Sequence, residues 1–276
     1  MNLLPLTSLP RSGSTLFLYI LNQNPIFQIG PDSEIGNFLY HNKTFIQTNI
    51  HHFQLPHEKV SECFIDFCRK GTEAWINQIS LPDKIFVDKS RHWLKDLDYF
   101  FNLFPDVKIL ITIRDLRGII NSYEKIHNNS LYVDRLNRQQ FNQQIEFDMQ
   151  RHRVVSTFNI YYIREALFSL KELIDIPKKF KSQIKICRYE DLTSNPKKSL
   201  SEVYNFLEFP EFGHNFNSIE QGEYYDNPYQ PYGNHKIKNS IEAKEETFSE
   251  LRDDIQLSII KEYSWYYKEF YPEVLI

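Results

Sequence analysis

An α/β fold, with helices flanking a central parallel sheet, is the class this sequence predicts, and three observations predict it. Short apolar runs recur at 3–9, 85–87, 107–113 and 184–187, and most lead into a stretch whose apolar residues repeat at helical spacing. The run 107–113 is apolar except for Lys108 and Thr112, as suits a strand covered on both faces. The 276 residues are 41% hydrophobic and 15% aromatic, which is enough bulk to build a sizeable core and excludes disordered and collagen-like classes.

Taken in order, 3–9 reads as a strand ending in the tight loop Pro10-Arg11-Ser12-Gly13-Ser14-Thr15, after which Leu16, Tyr19 and Ile20 mark a helix. Residues 85–87 form a brief strand before Asp88-Lys89-Ser90, with a helix expected over 93–103. The strand 107–113 leads into a helix over 114–125, carried by Leu116, Ile119, Ile120 and Tyr123. One long helix is expected within 138–174, then a strand at 184–187, then a helix over 200–207. Alternating strands and helices imply ligands at the carboxyl ends of the strands. Neither repeat nor linker divides the chain, so the expectation is a single domain over 1–276. The stretch 209–240, rich in Asn, Tyr, Gly and Pro, is long for a connection and is expected to be a lid or substrate loop.

Net charge is −4, so no global basic field recruits nucleic acid or an anionic membrane surface. The uncharged run 12–31 contains Asn22-Gln23-Asn24-Pro25, which excludes a transmembrane segment. The opening residues lack a leader pattern, and Cys63, Cys68 and Cys187 lack paired spacing. A cytoplasmic chain without structural zinc is expected. His51, His52 and His57 lack a supporting ligand set, so no metal is assigned to them.

Chemistry concentrates at three places. The segment from Ser8 to Thr15 has phosphate-loop spacing, but Ser8 replaces the first glycine and Ser14 the lysine. A loop entering a helix there still aims backbone N–H groups at an anion, with Ser12, Ser14 and Thr15 hydroxyls as further donors. Arg11 supplies charge in a planar fork suited to phosphate or sulfonate oxygens. The alternative is a plain tight turn. Second, Arg114 closes a strand and Ser122 follows eight residues later, so both can converge on a second phosphate; an Arg114–Asp115 ion pair is the alternative. Third comes Arg188-Tyr189-Glu190-Asp191-Leu192, with Pro196 and Phe206-Leu207 beyond it.

In order and spacing these three segments resemble the sulfotransferases that use 3′-phosphoadenylyl sulfate, over about residues 3–209 and more weakly to 240. The resemblance implies a P-loop-like fold around a five-stranded parallel sheet. It implies sulfonate transfer to a hydroxyl or amine without metal, leaving adenosine 3′,5′-bisphosphate. Arg11, Ser12, Gly13, Ser14 and Thr15 would hold the 5′-phosphosulfate, Arg114 and Ser122 the 3′-phosphate, and Tyr189 would lie near the adenosine. The loop is similar to those of the tyrosylprotein and bacterial branches, whose base follows the first helix. Gly30-Pro31-Asp32-Ser33-Glu34 stands there, which places Asp32 at the base position with Glu34 in reserve; the alternative for Asp32 is a helix N-cap.

Lys89 corresponds to a lysine on the leaving phosphate, its alternative being a solvated surface residue. His92 lies one residue further on than the catalytic histidine of small-molecule members and ranks below Asp32. Lys236 and Ser240 resemble a pair that closes over the cofactor, or form part of a solvated loop. The hydroxyl-bearing acceptor is not legible, although Tyr224 to Tyr232 can shape its pocket. Competing readings are a P-loop kinase using ATP and Mg²⁺, to which the missing lysine objects, and a degenerate nucleotide-binding protein.

Overall fold

The computed structural model describes residues 2–30, 32–129, 143–221, 237, 239–241 and 247–275. In chain order its elements are β1 (Leu3–Ser8), α1 (Ser14–Leu21), β2 (Phe27–Ile29), α2 (Ile35–Asn49), α3 (His57–Ile79), β3 (Ile85–Lys89), α4 (Leu97–Leu103), β4 (Ile109–Ile113) and α5 (Leu116–Asn129). There follow α6 (Gln143–Phe158), α7 (Tyr161–Ile174), α8 (Lys178–Lys181), β5 (Ile184–Arg188), α9 (Tyr189–Ser194), α10 (Pro196–Leu207), α11 (Asp253–Glu262) and α12 (Ser264–Phe270). The strands make one parallel sheet in the order β2-β3-β1-β4-β5.

Strand alternation sorts the core into two layers. Ile109, Ile111 and Ile113 point to the layer shared with α4, α5, α7, α11 and α12. Leu110 joins Leu4, Leu6 and Val87 in the layer under α1 and α10. Both faces of β4 are therefore dry, and all five of its residues are buried, which explains its unbroken apolar run.

The register brings the chemistry to one edge. Leu6 pairs with Lys89, Ser8 with Thr112, and Ile113 with Arg188, so the strands finish side by side. Because β1 lies between β3 and β4, the loop after it sits where the chain switches direction across the sheet.

Two expected helices are subdivided. The helix expected over 93–103 is a 3₁₀ turn at Arg91–Leu94 followed by α4; Asp96, in the left-handed region at φ 56°, restarts the helix by accepting from the Tyr99 N–H. The helix expected within 138–174 is two helices, with 138–142 outside the described residues. Ile160 takes extended geometry (ψ 127°), which lets the apolar faces of α6 and α7 pack on each other. Elements not anticipated are β2, the α2–α3 pair, the short α8 and α9, and the α11–α12 pair.

The described part of the 209–240 stretch is tied down at several points. Tyr204 receives a hydrogen bond from Asn24 (2.9 Å), and its hydroxyl meets His214 Nε2 at 2.9 Å. Ile219 N–H donates to the Asn239 carbonyl (2.7 Å) and Ile241 N–H to that of Phe216 (2.9 Å). Tyr224 to Tyr232 and Lys236 lie outside the described residues. Among the described residues no helix is long and apolar enough to cross a membrane.

Tyr204 is 1% exposed. Tyr204→Phe leaves the Asn24 amide and the His214 ring without their shared partner, and is expected to lower unfolding free energy by about 1–3 kcal/mol in urea titrations.

Candidate functional site

Five strand ends contribute to one rim. In spatial order they bring Asp32 after β2, Lys89 at the end of β3, the 9–15 loop after β1, Arg114 after β4 and Tyr189 after β5.

The loop after β1 is shaped by its own side chains. Ser12 is 1% exposed, and its hydroxyl lies 2.7 Å from the Leu9 carbonyl, 3.1 Å from the Thr112 carbonyl and 3.0 Å from the Thr112 hydroxyl. It staples the loop to β4, so of this residue only the backbone N–H remains for a ligand. Arg11 and Gly13 take positive φ, 61° and 79°. A Cβ on Gly13 would meet the Tyr189 ring at 2.4 Å; glycine is thus required both by its dihedral and by the close approach of that ring. Ser8 and Ser14 hydroxyls bond at 3.0 Å, and Lys89 Nζ donates to the Thr15 hydroxyl at 3.0 Å. Lys89 therefore belongs to the loop's neighbourhood and not to open surface.

The second cradle joins the first directly. Arg114 Nη1 donates to the Arg11 carbonyl (2.9 Å), its guanidinium lies 4.3 Å from the centre of the Tyr189 ring, and Arg11 Nε donates to the Ser122 hydroxyl (3.0 Å). The left-handed backbone at Arg11, ordinarily costing on the order of 1–3 kcal/mol, is thereby held by its own carbonyl. Burial pushes the Arg11 guanidinium below its usual pKa, against the Tyr123 hydroxyl and with a further push down from Arg114. Among the described residues no carboxylate pairs with Arg11. A half-buried guanidinium such as that of Arg11, with no carboxylate beside it among the described residues, forms a place for an anion.

Behind Arg114 stands an aromatic buttress. Tyr266 donates to the Arg114 carbonyl (2.9 Å), Tyr267 to Asp115 Oδ1 (2.9 Å), and Tyr271 to Glu190 Oε2 (2.9 Å), while Glu190 Oε1 accepts the Asp115 N–H (2.9 Å). Asp115 pairs with Arg117 at 2.5 Å, so Arg114 is not spent on its neighbour. The hydroxyl partners of these tyrosines lie about 80 or 150 residues away in the chain and carry no local signal.

At the opposite end, Asp32 accepts the Glu34 N–H at 2.9 Å. That is a two-residue Asx turn; the N-cap of α2 is Glu34, at φ 56°. Asp32, Glu34 and His92 bring ligand-type atoms within 4.8 Å of one another. Burial raises the Asp32 pKa, which makes its carboxylate a stronger base, and lowers that of His92, which favours the neutral imidazole. Ser240 is half-buried between the backbone pairs made by Asn239 and Ile241. Lys236 lies outside the described residues.

Sequence reading passed over Asp88, which is wholly buried and accepts from Ser33 N–H (3.0 Å), the Ser33 hydroxyl (2.5 Å) and Trp93 Nε1 (2.8 Å). An acid inside a buried strand run was the available signal. Desolvation pushes its carboxyl up to about 6.

The chain matches the model of the sulfotransferase family over residues 5–213. Among solved structures, the sulfotransferase domain from the curacin biosynthetic pathway is 18% identical, with TM-score 0.47, over 80% of this chain and 78% of that one. A sulfotransferase from Alicyclobacillus acidocaldarius is 14% identical, with TM-score 0.44, over 80% and 86%. STF1 from Mycobacterium tuberculosis is 15% identical, with TM-score 0.43, over 75% and 67%. No curated protein sequence matches the chain.

Two outcomes are expected. Gly13→Ala strains the left-handed position and drives a methyl into Tyr189, lowering thermal stability by about 1–3 kcal/mol in denaturation curves. Asp88 binds its proton more tightly in the folded chain, where its pKa is about 6, than an ordinary aspartate at 3.8, so its contribution to stability is full below 3.8 and lost as pH rises through about 6. Wild type should lose roughly 3 kcal/mol relative to Asp88→Asn across that window, read from paired denaturation curves.

Proposed function

The chain belongs to the sulfotransferase family, and on that premise we propose that it moves a sulfonate group from 3′-phosphoadenylyl sulfate to an acceptor hydroxyl or amine. The observation that carries the reading is the order of groups along the rim: a proton-handling cluster, a lysine, an anion loop, an arginine with its serine, and an aromatic ring. That order matches the parts of one extended donor with an acceptor at its end. Single-domain organisation over 1–276 is part of the same reading, as is independence from metal.

The residues present fit the donor. Arg11 has no carboxylate partner among the described residues, and the loop from Ser12 to Thr15 runs into the start of α1, where backbone N–H groups face an anion. Arg11 and the backbone N–H groups from Ser12 to Thr15 would hold the phosphosulfate, Arg114 and Ser122 the 3′-phosphate, and Tyr189 the adenosine side, with Ser240 and Lys236 proposed as closing residues. When bound, 3′-phosphoadenylyl sulfate supplies the sulfonate and carries off the leaving charge as adenosine 3′,5′-bisphosphate.

The chain's own groups supply the rest. Asp32 accepts the acceptor proton, helped by burial that keeps its carboxylate basic. Glu34 and His92 stand close enough to pass that proton on. Lys89, fixed through the Thr15 hydroxyl, places positive charge beside the leaving oxygen, and Arg11 does so beside the sulfonate. Fixed charge and positioning provide most of the acceleration.

Thermal-shift titration checks the donor. Adenosine 3′,5′-bisphosphate should stabilise the chain without Mg²⁺, and Arg114→Ala should weaken that binding; stabilisation only by ATP with Mg²⁺ would overturn the reading. With labelled donor and a panel of phenols, sugars, alcohols and peptides, Asp32→Asn should slow transfer by about 10²–10⁴-fold with nucleotide affinity kept. Unchanged turnover removes Asp32 as the base.

A further inference from the structure

Asp88 holds a negative charge where water does not reach. Its exposure is 0%, and the groups bonded to it are donors from Ser33 and Trp93 and not a cation. A carboxylate in that setting stays bonded only if its donors stay in place, and so it dictates where they sit.

Those donors belong to the two segments that carry the proton-handling groups. Ser33, flanked by Asp32 and Glu34, gives both its N–H and its hydroxyl to Asp88. Trp93, 2% exposed, follows His92 and gives its indole N–H. Asp88 itself immediately precedes Lys89. One side chain thus ties the segment after β2 to the end of β3.

We infer that Asp88 is a positioning residue: it clamps the 32–34 segment to the end of β3, keeping Asp32 in register with Lys89 through Ser33. The inference rests on the functional reading above and adds to it the device that sets the base. Besides the clamp, the 32–34 segment is held by its Asx turn, by the first turn of α2, and by the side-chain contacts of Asp32 with Ser90 and of Glu34 with His92, none of which fixes Ser33. An asparagine is nearly isosteric, but its amide nitrogen must face at least one of the three donors, which opens one bond of the clamp.

The test compares wild type with Asp88→Asn and Ser33→Ala by amide hydrogen exchange, nucleotide binding and transfer. Exchange at residues 33–35 should rise by about tenfold in Asp88→Asn and less in Ser33→Ala, while the 10–15 loop keeps its protection. Transfer to the acceptor panel should fall by about tenfold or more, with adenosine 3′,5′-bisphosphate affinity within about twofold of wild type. The double variant should be no slower than Asp88→Asn alone, because both changes open one link; a purely structural loss would instead weaken nucleotide binding and add up.

Unchanged exchange at 33–35 overturns the clamp, as does full transfer activity in the variants whose exchange has risen. If Asp88→Asn does not fold, Ser33→Ala decides by the same two measurements. A wild-type chain that neither binds the bisphosphate nor consumes donor overturns the functional reading and, with it, the catalytic purpose of the clamp, while the exchange data still decide the clamp itself.

Discussion

A single hydrogen bond, from the Arg114 guanidinium to the Arg11 carbonyl, makes one site of two loops. Parallel strands would bring the ends of β1 and β4 close in any protein of this class, about 5 Å apart. Closeness alone does not fix a loop in a left-handed conformation that an arginine ordinarily avoids. The bond to the carbonyl does so, and Arg11 returns the link through Ser122. Ser12, turned inward onto Thr112, secures the same pair of strand ends from below.

The electrostatic pattern follows from that junction. The chain is net acidic, yet its rim gathers Arg11, Arg114 and Lys89 around a helix start, where partial positive charge already accumulates. Among the described residues, Asp115 is engaged by Arg117 and Tyr267, and Glu190 accepts from Tyr271 and the Asp115 N–H. The acidic cluster of Asp32 and Glu34 sits after β2, two strands away from the anion loop. Separation of sign along one edge suits a reaction that removes a proton at one end and stabilises a departing anion at the other.

Much of this was legible in the sequence where the signal is local. The unbroken 107–113 run announced a doubly covered strand, and the loop from Pro10 to Thr15 announced its tight turn through residue type alone. Arg114 and Ser122 were readable because a strand end and a helix turn place them predictably. The three-residue β2 was too short for periodicity to show. The α2 and α3 helices hide behind polar and exposed aromatic residues, and the break at Ile160 was masked because both flanking helices are apolar toward the core. Asp88 was missed for a different reason: its partners Ser33 and Trp93 come from segments whose meeting depends on β2 lying next to β3, a pairing that no local pattern encodes.

The tyrosines of α12 lend a temporal dimension to the architecture. Arg114 and Asp115 leave the ribosome long before Tyr266 and Tyr267, which lie 152 residues later. During synthesis the β4 junction therefore waits, unbraced, for its own downstream sequence. Bracing of that junction becomes a property acquired late in biogenesis, and a nascent chain caught short of those residues would have a sheet before it had a finished rim.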